Sequence, residues 1–237
     1  MRENTTQNLV EDIERLRKQL HLEKIILFGG SWGTTLGLAY AEKYPDHVSG
    51  MVLRGVFTAT KEEIDHFYHG GARPFFPELY DSLFGELRAK DRRPLPEILF
   101  ERIRSDDPDI RERYSKVWTH YEFKIGSLEE SDEFINEYLQ TDDVMDHIYA
   151  FALLENFYMT NHCFLEEGQL LRDAYKIKDI PTIIINGRYD MVCPPITAYR
   201  LHQKLPNSRL VIAEGAGHWM GDKPIEKAML QAMREME

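Results

Sequence analysis

Cysteine is scarce: Cys163 and Cys193 are the only two in 237 residues. That is too few for a disulfide framework, and neither stands in the clustered Cys or His spacing of a zinc site, so both are read as reduced thiols and no metal is implied. Positive charge is also in deficit. Lys and Arg total 29 against 40 Asp and Glu, a formal net charge of −11, and no basic run is present to neutralise a phosphate backbone, which excludes nucleic acid as a partner. No stretch approaches the roughly 20 apolar residues of a membrane span, and the polar segment from Met1 to Thr6 lacks the apolar core of a signal peptide. A cytoplasmic protein without a membrane partner is expected. Repeats, low-complexity tracts and Gly/Ser linkers are missing as well, so any second domain should be packed and not tethered.

What is present alternates. Leu9, Ile13, Leu16 and Leu20 recur at helical spacing with charges on the opposite face. Lys24-Ile25-Ile26-Leu27-Phe28 reads as a buried parallel strand ending at Phe28, the small and apolar residues Thr34 to Ala41 as a buried helix ended near Pro45, and Met51 to Arg54 as a second strand. From Thr58 to about Lys176 the pattern turns helical and aromatic, without a convincing strand. Strands return at Pro181–Asn186 and Arg209–Ile212, with a helix from Pro195 to Leu205 between them and a closing helix from Ile225 to Met236. The expectation is an α/β fold, a doubly wound and mostly parallel sheet formed by residues 1–57 and 177–237, with a helical cap inserted at 58–176 and the site in the cleft between them.

Gly29-Gly30-Ser31-Trp32-Gly33 fits the Gly-x-Ser-x-Gly turn, in which a strained strand-to-helix corner projects a serine hydroxyl. Each glycine is expected to allow close approach of strand and helix, and the Trp32 N–H, near a helix N-terminus, to face a developing oxyanion. Taken alone, the segment also reads as a glycine-rich turn or a weak phosphate cradle. A serine needs a histidine to take its proton and a carboxylate to orient that histidine. Asp190 and His218 each follow a predicted strand, where catalytic groups of such sheets gather, and complete the chain order Ser31, Asp190, His218 found in α/β-hydrolases. Gly-x-Gly-x-x-Gly is not spelled and no acidic ribose partner follows the next strand, so no nucleotide cofactor is expected.

The elbow with Leu53-Arg54-Gly55-Val56-Phe57 after it, Gly71 to Pro77, Trp118-Thr119-His120-Tyr121-Glu122, Ala152 to Tyr158, Gly187 to Pro194 and Gly215 to His218 together resemble the proline iminopeptidases, members of the α/β-hydrolase superfamily. The resemblance spans nearly all the chain. It implies a serine aminopeptidase with no cofactor, acting on peptides with a free N-terminal proline. Glu122 and Glu155 would bind the substrate's α-amine, and aromatics would embrace the proline ring, with Phe75 as the candidate. Two departures stand out: Tyr121 replaces the second tryptophan of a Trp-Ser-x-Trp-Glu motif, and Met159 stands where the family tends to have an aromatic, which loosens the expected preference for proline. The family's earlier strands and His-Gly-Gly-Pro-Gly loop, the source of a second oxyanion donor, have no counterpart here. An uncovered edge on the strand at Ile25–Phe28 and weakened turnover are therefore expected. The rival readings are another acyl hydrolase, an esterase or amidase, and a non-catalytic homologue that binds without turning over. Oligomeric state has no signature in the sequence.

Overall fold

The computed structural model describes residues 1, 3–128, 132–141 and 144–236. The chain divides into two compact units, one of Met1–Glu63 with Phe164–Glu237 and one of Ile64–Cys163. Along the chain come α1 (Thr6–Gln19), β1 (Ile25–Gly30), α2 (Trp32–Lys43), β2 (Val48–Arg54) and the short α3 (Lys61–Asp65). The second unit then carries a π-turn at His66–Gly70 and helices α4 (Pro77–Lys90), α5 (Leu95–Ile103), α6 (Pro108–Gly126), α7 (Asp132–Leu139) and α8 (Met145–Thr160). The first unit resumes with α9 (Gln169–Asp173), β3 (Thr182–Gly187), α10 (Pro195–Lys204), β4 (Ser208–Ala213) and α11 (Lys223–Met236).

The described strands form one parallel sheet in the order β1-β2-β3-β4. Side chains alternate across it, so each strand feeds two cores. Met51, Leu53 and Ile184 pack with Leu38 and Ala41 of α2 and with Ala198 and Leu201 of α10. On the opposite face Val52, Ile183 and Ile185 pack with Ile225, Met229 and Ala232 of α11. A sheet covered on both faces needs apolar residues on both, which is why β2 and β3 read as unbroken apolar runs.

Several boundaries differ from expectation. β1 continues past Phe28 to Gly30, because Gly29 and Gly30 still pair with Leu53 and Arg54, and β2 begins at Val48 instead of Met51. The helical unit is narrower than the segment 58–176: Leu170 and Ala174 have helical spacing but are buried beside Leu38 and Met51 in the core of the first unit. β1 is an edge strand. α11 packs on β2, β3 and β4, and Ile26 and Phe28 remain half exposed.

The second unit is held by aromatic residues. The rings of Tyr68 and Trp118 stack with centroids 4.6 Å apart, and Phe67 meets Trp118 edge-on at 5.1 Å. Hydroxyls of two tyrosines satisfy carbonyls of the π-turn, Tyr121 donating to Phe67 at 2.8 Å and Tyr80 to Tyr68 at 3.0 Å. Such a turn leaves backbone acceptors without helical partners, and buried ones need replacements. Among the described residues no helix is long and apolar enough to cross a membrane.

Candidate active site

Ser31 sits at the corner between β1 and α2 with φ 55° and ψ −126°, a conformation costly for any residue with a Cβ. Backbone bonds on both sides hold it there: Ser31 N–H donates to Arg54 O, and Thr34 N–H to Ser31 O, each at 2.9 Å. The corner is tight enough that a Cβ on Gly29 would lie 2.5 Å from the Gly33 carbonyl oxygen. The expectation that every glycine of the motif is sterically required fails at Gly33, where an added Cβ would meet nothing within 4 Å. Trp32 is the first residue of α2, a position whose backbone N–H has no acceptor within its own helix and adds to the positive end of the helix dipole.

Asp190 and His218, from the loops after β3 and β4, meet with His218 Nδ1 2.8 Å from Asp190 Oδ2. Both are buried, at 2% and 8% exposure. The second carboxylate oxygen of Asp190 accepts the N–H groups of Val192 at 3.0 Å and Cys193 at 2.7 Å. An ionised carboxylate so satisfied favours Nδ1–H on the imidazole and leaves Nε2 as an acceptor. Gly55 makes room for the ring: its φ is +58°, and a Cβ there would lie 2.9 Å from His218 Cε1.

Two further groups, Cys193 and Arg54, belong to this region. Burial and the nearby carboxylates of Asp190 and Glu63 push the buried Cys193 thiol well up, and Ser31 and Arg54 oppose that shift. Arg54 Nη1 approaches His218 Nε2 at 3.3 Å and donates to the His218 carbonyl at 3.0 Å. Burial draws the Arg54 guanidinium below its ordinary value, and Cys193 and Asp190 oppose that shift. Arg54 and Asn186 are the contributors that residue-by-residue reading of the motifs missed. Asn186 is fully buried and ties the strand ends together, accepting Val56 N–H at 3.2 Å and donating to Cys193 O at 3.0 Å. A lone asparagine closing an apolar strand was the available signal.

In the helical unit, Glu122 on α6 and Glu155 on α8 are hydrogen-bonded to each other. Trp118 Nε1 donates to Glu155 Oε2 at 2.6 Å, while Glu122 Oε2 is buried without a partner. Burial, the neighbouring Glu155 charge and their mutual hydrogen bond hold Glu122 well above the usual carboxylate range. Such a pair shares a proton and titrates as a unit. Met159, one turn beyond Glu155, is buried at 5% exposure, whereas Phe75 is 64% exposed.

The chain matches the α/β hydrolase fold family over residues 2–223. A protein of Leptolyngbya boryana named probable proline iminopeptidase is 38% identical over 233 residues, covering 98% of this chain and 71% of its own length. The proline iminopeptidase of Arabidopsis thaliana is 38% identical over 240 residues, covering 100% of this chain and 62% of its own length. The chain thus spans less than two thirds of that relative. A solved α/β fold family hydrolase from Bacillus anthracis strain Sterne superposes with a TM-score of 0.65 at 19% identity, covering 99% of this chain and 75% of the other, a likeness of fold.

Proposed function

Because the chain belongs to the α/β hydrolase fold family and, within it, to the proline iminopeptidases, we propose that it is a serine aminopeptidase releasing N-terminal proline from peptides in the cytoplasm. The observation that carries the reading is the 2.8 Å bond between His218 Nδ1 and Asp190 Oδ2, in a unit whose strained corner presents Ser31. Ser31 Oγ attacks the carbonyl of the N-terminal proline as His218 Nε2 takes its proton. Asp190 steadies the imidazolium, and the Trp32 N–H faces the oxyanion. The proton passes to the leaving peptide amine, and water hydrolyses the prolyl ester to free proline and the serine hydroxyl.

Glu122 and Glu155 supply selection for a free N-terminus. A secondary ammonium gives a proton-sharing, desolvated carboxylate pair a counter-charge, in charge-assisted hydrogen bonds. Phe75 and Met159 are assigned to the proline ring. A proline arylamide and its N-blocked analogue test this selection. The free substrate is expected to be cleaved and the blocked one not; equal cleavage would favour an esterase or amidase of the same fold.

One observation favours a second reading, a homologue that binds without turning over: His218 Nε2 faces Arg54 Nη1 at 3.3 Å. A fluorophosphonate probe separates the two. Stoichiometric labelling that is lost in Ser31→Ala is expected of the enzyme, and soluble, folded protein that takes no label is expected of the binder.

A further inference from the structure

Glu42 lies on α2 in the first unit, 8% exposed, and its Oε1 has no hydrogen-bond partner. A carboxyl so placed is costly to ionise unless a cation stands beside it. The cations near it are already paired with other carboxylates. Burial and the Asp173 carboxylate push Glu42 up to about 8, against weaker opposing effects of Lys176 and Arg172. Those two cations are engaged elsewhere, Lys176 with Asp173 at 2.8 Å and Arg172 with Asp173 at 3.2 Å. Lys43, the next residue along, is held by Glu11.

Glu42 borders a half-open cavity of about 250 Å³ whose lining combines apolar Val10, Ala39 and Leu165 with the carboxyls of Glu42 and Asp173 and with Lys43 and Lys176, whose ammonium groups are already paired with Glu11 and Asp173. At roughly 30 Å³ per water-sized volume, that is room for about eight such volumes, enough for a short aliphatic chain with a polar head. An alkali ion would leave the apolar lining uncovered. A divalent metal needs more ligands than two carboxylates, and among the described residues no group of three or more His, Cys, Asp or Glu side chains could hold one.

We propose that this cavity binds a small primary alkylammonium ion, with Glu42 and Asp173 taking its charge and Val10, Ala39 and Leu165 its apolar chain. The ammonium supplies the counter-charge that Glu42 lacks, so the Glu42 carboxylic acid ionises as the ion enters and one proton passes to solvent. The ammonium keeps all of its own protons. This site belongs to the first unit alone and stands apart from the proposed peptidase chemistry.

The test is calorimetric titration of the full chain with n-butylammonium chloride at neutral pH, in two buffers of different protonation enthalpy. Sodium chloride and n-butanol serve as charge-only and chain-only controls. Saturable binding with proton release is expected for n-butylammonium and for neither control. Glu42→Gln should weaken the affinity about tenfold or more, the scale of one charge-assisted hydrogen bond. Ala39→Leu, which fills the cavity and keeps both carboxyls, should weaken it as well and guards against a misfolded first variant. Absence of saturable binding, an equal response to either control, binding without proton release, or affinity that survives both substitutions would overturn the proposal.

Discussion

Arg54 Nη1 stands 3.3 Å from His218 Nε2, the nitrogen that has to accept the Ser31 proton in the proposed chemistry. A guanidinium has only donors, so the two groups meet with the imidazole lone pair turned toward Arg54. The donor that occupies this lone pair competes with the serine hydroxyl for the same acceptor. Arg54→Met removes the competitor while keeping an unbranched side chain at the end of β2. One charge-assisted hydrogen bond is worth about 1.5 kcal/mol or more, about tenfold in rate. Fluorophosphonate labelling of Ser31 is expected to accelerate about tenfold in Arg54→Met. A slowing of similar size would mean that Arg54 orients the imidazole and does not compete for it.

Arg54 was invisible to sequence reasoning for a physical reason. An arginine at a strand end usually turns to water, and nothing in Leu53-Arg54-Gly55 announces that this one lies half-buried against Gly30, where an added Cβ would meet Arg54 Nη2 at 2.4 Å. Asp190 and His218 were legible because the ends of parallel strands gather functional loops, and β2 and β3 because apolar side chains on both faces leave a continuous run. Helical spacing, by contrast, reports that a helix has a buried face without saying which core receives it. Leu170 and Ala174 therefore read as part of the inserted helices yet pack beside Leu38. The exposed Phe75 has a similar cause: apolar character alone does not distinguish a core aromatic from one left at a surface turn.

Gly55 should be the least replaceable residue near the imidazole. Its φ of +58° disfavours any side chain, and a Cβ would lie 2.9 Å from His218 Cε1 and 3.4 Å from Asp190 Oδ2. Gly55→Ala then costs about 1–3 kcal/mol of stability from backbone strain, and the ring must shift as well. Labelling of Ser31 is expected to fall about 100-fold while the protein stays folded at room temperature, measured by probe kinetics beside a thermal melt. Unchanged labelling would remove Asp190 and His218 from the labelling chemistry.

The Glu122–Glu155 pair predicts opposite pH effects on recognition and on stability. Glu122 is held above the usual carboxylate range by burial, by the Glu155 charge and by their shared hydrogen bond. At pH values below this raised titration the pair keeps a proton that a substrate ammonium would have to displace. KM for a free proline arylamide should therefore fall as pH rises through the titration, with kcat little changed by this pair. Stability runs the other way. The folded state holds a proton that the unfolded chain has already released, so this contribution is present at low pH and lost as pH rises from the ordinary carboxylate range through the raised value. Glu122→Gln should flatten both profiles and raise KM about tenfold or more. A KM profile that keeps its slope in Glu122→Gln would take amine recognition away from the pair.

Glu14 carries the opposite sign. Arg17 reaches it with two bonds of 2.8 Å, and the Tyr40 hydroxyl donates to it at 2.9 Å, so one buried carboxylate clamps α1 to α2. The Arg17 bonds, reinforced by Tyr40 and partly opposed by burial, hold Glu14 well below the ordinary carboxylate range. The folded state therefore ionises Glu14 more readily than the unfolded chain does. The resulting stability is complete above the ordinary carboxylate range and drains away as pH falls through it. Glu14→Gln keeps the shape but leaves Arg17 without its counter-charge, and the melting midpoint at neutral pH is expected to drop by about 5 °C or more. Replacing both partners, Glu14→Leu with Arg17→Met, removes the unpaired charge and should recover most of the loss, because buried ion pairs are often no more stabilising than apolar residues of similar volume. If the double variant melts lower than Glu14→Gln, the Tyr40 bond to Glu14 and the Arg17 bond to the Glu23 carbonyl at 3.2 Å matter more to the clamp than the charge pair does.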